Sequence, residues 1–99
     1  MMLVLRVLKT EPLHGYAIAH RVQQLSQDAL RVEEGSLYPA LQRMLRAGWL
    51  KARWETSASS RRVRVYAITP AGRTRLEQEV SAFERMLEGI RLVLEPVKP

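Results

Sequence analysis

A chain of 99 residues can build one hydrophobic core and is too short for two. Its 16 Lys and Arg exceed its 10 Asp and Glu, and the resulting net charge of +6 favours an anionic partner without choosing between nucleic acid and a membrane surface. Cysteine is absent, which excludes disulfides and thiolate metal sites, and Arg6 and Lys9 break the opening apolar run well short of a signal-peptide core or a membrane span, so a cytoplasmic protein is expected.

Leu3, Val4, Val7 and Leu8 recur at helical spacing, and Thr10-Glu11-Pro12 ends this short first helix. His14-Gly15-Tyr16 opens a second helix with Tyr16, Ile18, Ala19, Val22 and Leu25 as its apolar positions. Gly15 stands where two backbones are expected to approach closely, or is an ordinary glycine of the helix's entry turn; on either reading a bulky side chain is unfavourable there. Ser26-Gln27-Asp28 closes that helix, and Leu30-Arg31-Val32 is a short extended link.

The third helix lies within Glu34 to Leu50, EGSLYPALQRMLRAGWL. Leu37, Leu41, Met44 and Leu45 form one stripe, with Ala40 and Ala47 at its edge. Tyr38, Pro39, Gln42, Arg43 and Arg46 occupy the other side, which carries no acid. Ser36 is the expected cap, with Pro39 in the first turn and Gly48 as the stop. Such a basic, hydrogen-bonding face suits a DNA groove, and it is equally the solvated side of an ordinary amphipathic helix. Glu33 and Glu34 would stabilise the positive N-terminus of this helix.

Leu50, Ala52 and Trp54 then alternate with Lys51, Arg53 and Glu55, the period of a half-exposed strand. The polar stretch Thr56-Ser57-Ala58-Ser59-Ser60 is a turn. A second strand over Arg61 to Thr69 completes a hairpin, with Tyr66 and Ile68 expected inward in preference to Val63, Val65 and Ala67. Thr69-Pro70 is a helix start, with threonine as cap and proline at the first position, and this last helix is expected to reach about Leu94 before Pro96 and Pro99. Leu76, Val80, Phe83, Leu87, Ile90 and Leu94 are spaced 4, 3, 4, 3, 4, a heptad seam longer than the first helix can cover, which predicts a dimer through this helix.

Charge follows the same division. Between Arg43 and Arg64 lie seven basic residues and one acid, Glu55, whereas Leu76 to Glu95 holds five glutamates and two arginines. Three helices, a hairpin and a last helix are the order of a winged helix-turn-helix, an α+β fold that is mostly α. Residues 1–69 would form the DNA-binding unit and residues 70–99 the dimerisation helix, as one compact body.

The residues also carry a family likeness. His14-Gly15-Tyr16, Gly35-Ser36-Leu37-Tyr38-Pro39-Ala40-Leu41, Ala47-Gly48-Trp49-Leu50, Arg61-Arg62 and Tyr66-Ala67-Ile68-Thr69-Pro70-Ala71-Gly72-Arg73 resemble the PadR family of bacterial transcriptional regulators over nearly the whole chain. The resemblance implies a dimeric repressor whose third helix enters the major groove of an inverted-repeat operator. On that reading Ser36, Tyr38, Pro39, Gln42, Arg43 and Arg46 of the third helix meet double-stranded DNA, with Arg53, Arg61, Arg62 and Arg64 of the wing. Tyr66 belongs mainly to the core. Leu76, Val80, Phe83, Leu87, Ile90 and Leu94 form the homodimer interface. Members of the family respond to varied small-molecule effectors, and no residue here identifies one. Some hold a planar aromatic ligand against a tryptophan between subunits, a pocket that does not transfer, because Trp49 and Trp54 flank the first wing strand.

Other classes are weaker. A winged helix used for protein contact has no reason to keep both the third helix and the wing basic. A peripheral membrane helix would present one basic face, whereas Leu76 to Leu94 mixes both signs. His14 and His20, six apart, stand about 240° apart on a helix and cannot share a metal. The serines of the turn have no base nearby in sequence. Neither an enzyme nor a cofactor is expected.

Overall fold

The first helix is the hub, because its apolar arc is wide enough to face several neighbours at once. In the computed structural model, which describes residues 1–95, α1 (Met2–Thr10) buries Val4, Leu5, Val7 and Leu8 and packs on the second and last helices and on the sheet. Leu5 therefore takes the place expected of Leu3, which is exposed. The chain continues through β1 (Leu13–His14), α2 (Gly15–Leu25), α3 (Glu34–Arg46), β2 (Leu50–Thr56), β3 (Arg62–Ile68) and α4 (Pro70–Leu94). The expected role of Pro96 and Pro99 lies outside the described residues.

The helix α2 turns only Gly15, Ile18 and Val22 inward. Tyr16 and Leu25, expected in its apolar stripe, are exposed, on the side of α2 that α1, α3 and the sheet leave uncovered. On α3 the buried stripe is Leu37, Ala40, Leu41 and Met44, all with no accessible surface, while Ala47 is open to solvent.

Ser36 does not cap α3. The carbonyl of Glu33 already accepts the N–H groups of Ser36 at 3.1 Å and Leu37 at 2.9 Å, so the helix starts at Glu34 with Glu33 as its cap residue. Pro39 consequently sits inside the helix, not in its first turn. Its missing N–H leaves the Gly35 carbonyl without a helical donor, at an exposed position where water can replace it. The other end follows expectation. Gly48 has φ +80° and donates to Leu45 at 3.1 Å, and Trp49 donates to Met44 at 3.0 Å, a Schellman ending that satisfies two carbonyls and swings the chain straight into β2.

The sheet is antiparallel with order β1-β3-β2. β1 has only two residues and too little period to show in the sequence; it pairs Leu13 with Tyr66 and His14 with Val65. Its presence puts β3 in the middle, so both edges of that strand are hydrogen-bonded. Tyr66 is buried with Ala52 and Leu13 beside it, as expected, and Val65 on the opposite face is buried too, while Ile68 is half-buried.

α4 starts where expected. The Thr69 hydroxyl accepts from the Gly72 N–H at 3.0 Å and donates to the Gly48 carbonyl at 2.6 Å, and the Thr69 N–H donates to Trp49 at 3.0 Å. One threonine thus ties the end of α3, the start of β2 and the start of α4 together. At 25 residues α4 is about 37 Å long, against about 13 Å for α1. Leu76 is buried and Val80 is packed against the core, but beyond them α4 outruns α1, and the molecule measures 66 × 29 × 23 Å.

Candidate nucleic-acid interface

With four side chains of α3 fully buried, its outer face is fixed in rotation. Ser36, Tyr38, Pro39, Gln42, Arg43 and Arg46 are all exposed on it. Arg43 and Arg46 lie in the last turn, where the helix dipole favours cations.

Tyr38 leans on the start of α2. A methyl group placed on Gly15 would come within 2.8 Å of the Tyr38 ring, so the close approach expected at this glycine is made by a tyrosine side chain and not by a second backbone. His14 caps α2 through Nδ1, which accepts from the Ala17 N–H at 3.4 Å. The rings of His14, Tyr16 and His20 run near-parallel along α2, with centroids 6.5 and 6.2 Å apart.

The wing has two unlike faces, a consequence of its register. Arg53 pairs with Val65, whereas Trp54 pairs with Arg64 and Thr56 with Arg62, which puts Arg62, Arg64, Trp54 and Tyr66 on one face and Arg53 on the other. Arg53 is bound to the Glu55 carboxylate two residues on. It therefore parts company with the other wing arginines. The tight turn runs through Ser60 at φ 62°, and its backbone is closed by Ser57 N–H donating to Arg61 at 2.7 Å.

Between the wing, Tyr38 and the start of α2 opens a cleft of about 460 Å³, lined by His14, Tyr16, Tyr38, Arg62, Arg64 and Tyr66 among others. No acidic residue lines it. Burial raises the Tyr66 phenol above its ordinary value of 10.0, the Arg64 guanidinium opposes the rise, and Tyr38 adds to it. Arg43, Arg46, Arg61, Arg62 and Arg64 form no ion pair among the described residues, so their charge is directed outward. The cleft is lined by arginine, histidine and tyrosine side chains and by no carboxylate.

Two supporting groups escaped the sequence reading. Trp54 was expected to alternate inward with Leu50 and Ala52, yet it is exposed, because the hairpin projects beyond the core at that point. Gly72 supports the site from below: an added methyl group there would lie 2.1 Å from the Trp49 carbonyl oxygen. A glycine three residues after a Thr-Pro helix start, where alanine would serve the helix better, is the only signal of it in the chain. Among the described residues no cluster of His, Asp and Glu could hold a metal ion, and no helix is long and apolar enough to cross a membrane.

Comparison with known proteins accounts for this arrangement. An uncharacterised 37.1 kDa protein of a Streptomyces fradiae transposon is 44% identical over 85 residues, and the transcriptional regulator Rv3488 of Mycobacterium tuberculosis is 38% identical over 73 residues. These alignments take in 86% and 74% of this chain but only 23% and 64% of the two relatives. A transcriptional regulator from Clostridium thermocellum has the same fold, with a TM-score of 0.87 at 22% identity over 95% of this chain and 91% of that one. PadR of Bacillus subtilis, solved in complex with operator DNA, superposes with a TM-score of 0.72 at 19% identity, over 80% of this chain and 44% of that one. The model of the transcriptional regulator PadR-like family matches residues 4–78, and the chain belongs to that family.

Proposed function

We propose that the protein is a homodimeric repressor that occupies an inverted-repeat DNA operator in the cytoplasm. The observation that carries this reading is the pairing of an acid-free outer face on α3 with a wing face whose arginines are unneutralised, across a cleft without a carboxylate. The operator complex of the B. subtilis relative supports the same use of the fold. Gln42, Arg43 and Tyr38 are assigned to base edges in the major groove, and Arg46, Arg61, Arg62 and Arg64 to phosphates. Ser36 and Pro39 lie on the approach side of the helix. Arg53 is left out, since Glu55 holds it on the far face of the wing.

Dimerisation supplies what one helix lacks. A single recognition helix reads too few base pairs for useful specificity, whereas a two-fold pair sets two such helices about 34 Å apart on one face of the duplex. The unpartnered length of α4 supports that role: Phe83, Ile90 and Leu94 are 43, 45 and 73% exposed in the single chain. A small-molecule effector that releases the repressor would act by favouring a spacing of the two helices that does not match the operator.

Selection from a random duplex pool, followed by anisotropy titrations at several salt concentrations, tests the reading. If each subunit places Arg46, Arg61, Arg62 and Arg64 on phosphates, eight contacts should cost about 10⁴-fold in affinity between about 50 and 200 mM salt. Arg61→Ala or Arg62→Ala should weaken all duplexes alike and lower the salt slope by about two per dimer. Gln42→Ala or Arg43→Ala should cost about 1–3 kcal/mol on the selected site and relax preference there. Wing changes that alter sequence preference while helix changes do not would reverse the assignment. Binding that ignores salt would favour a protein-contact module instead.

A further inference from the structure

The exposed tryptophan of the wing has no place in the contacts assigned so far. Trp54 is 57% exposed, a large apolar surface to leave in water on a projecting hairpin. Two guanidiniums lie over its ring: Arg62 with Cζ 5.0 Å from the centroid and Arg64 at 5.8 Å. Arg64 also stands 6.0 Å from the Tyr66 ring. The register brings these groups together, since Arg64 is directly opposite Trp54 and Arg62 is its diagonal neighbour on the same face.

We propose that Trp54 is the positioning residue of the wing, its indole face holding Arg62 and Arg64 so that their N–H donors meet successive phosphates of duplex DNA. The inference rests on the DNA-binding reading above and assigns within it a role to a residue that carries no charge. Arg62 and Arg64 are like charges two residues apart on one strand face, and each is a long side chain with much rotamer freedom to lose. An aromatic face attracts both cations without consuming their in-plane donors, which remain free for oxygen ligands. The opposite face of the wing shows the contrast. There Arg53 is held by a carboxylate, which uses its donors and cancels its charge.

The test uses the full chain, the selected duplex and a scrambled duplex of equal length. Trp54→Ala should weaken both by about tenfold and lower the salt slope, although no charge is removed. Trp54→Leu keeps apolar bulk without a π face and should lose as much as alanine, whereas Trp54→Phe should recover most of the binding. Thermal melts of the variants should stay close to wild type, as expected at an exposed hairpin position; if alanine fails to fold, the leucine and phenylalanine variants carry the comparison. Wild-type affinity and slope in Trp54→Leu would overturn the inference while leaving the DNA-binding reading intact. A loss of affinity with an unchanged salt slope would also overturn it, since that result means insertion of the ring between bases. Failure of the wild-type chain to bind any duplex would overturn both.

Discussion

Replacing Gly72 with alanine is the sharpest test of how the site is braced. In a helix interior the change ordinarily stabilises by up to about 1 kcal/mol, because glycine has more conformational freedom to lose. Here the new methyl carbon would lie 2.1 Å from the Trp49 carbonyl oxygen and 2.8 Å from Ile68 Cγ1, against an ordinary contact of at least 3.4 Å. The obstacle at Trp49 is backbone, so relief means moving the start of α4 away from the junction of α3 and β2. That shift stretches two hydrogen bonds, Thr69 N–H to Trp49 at 3.0 Å and the Thr69 hydroxyl to Gly48 at 2.6 Å. Overpacking costs about 1–3 kcal/mol and each of the two weakened bonds about 0.5–1.5, which leaves a net loss of about 1–5 kcal/mol after a helix gain of about 1 kcal/mol. Gly89 is the internal control, for it lies in the same helix with nothing within 4 Å of an added methyl group. Gly89→Ala should therefore stabilise by up to about 1 kcal/mol. Urea unfolding of wild type and both variants at one protein concentration measures the difference, read as a shift in midpoint at constant slope. Equal midpoints for the two variants would refute the close approach at Gly72, and with it the argument that Thr69 locks the wing base to α3.

Two further outcomes follow from the geometry. Phe83→Asp or Leu87→Asp should yield monomer or unfolded chain in analytical ultracentrifugation and abolish specific DNA binding with Arg43 and Arg61 intact; a wild-type chain that is a folded monomer at micromolar concentration, or an intact Phe83→Asp dimer, would remove the seam from the account. Tyr66 should make stability fall at high pH. Its folded-state value lies above 10.0, so the contribution of the neutral phenol is complete below pH 10 and declines as the pH rises past that point towards the raised value, and Tyr66→Phe should flatten this decline in melts taken from pH 8 to 11.

Where a signal is carried by neighbouring residues, it was readable from the chain. Thr69-Pro70 specifies the start of α4 because a hydroxyl reaches an N–H three residues on and proline has none to spare. Gly48 specifies the end of α3 because the left-handed turn there is open to glycine at no steric cost. The stripe of Leu37, Leu41 and Met44 follows from helical period alone, and it determines by exclusion which residues α3 shows to a partner. The concentration of positive charge from Arg43 to Arg64 is likewise a property of the sequence.

Burial against distant elements was decided only by the tertiary structure. The two alternating stripes of β3 compete on nearly equal terms, and packing of the sheet against the rest of the chain buries Tyr66 on one face and Val65 on the other. Leu5 displaces Leu3 because α1 meets α2, β3 and α4 together, and no period within nine residues records how many neighbours a helix has. The wing arginines read as one basic cluster in the chain; strand register divides them, sending Arg53 to Glu55 on one face and Arg62 and Arg64 to Trp54 on the other. Capping and turn chemistry act within about four residues, so the sequence carries most of them, although at α3 the Glu33 carbonyl took the place expected of Ser36. Which face is covered, which cation remains unneutralised and which glycine cannot accept a methyl group depend on atoms brought together from far along the chain, and those relations exist only once it has folded.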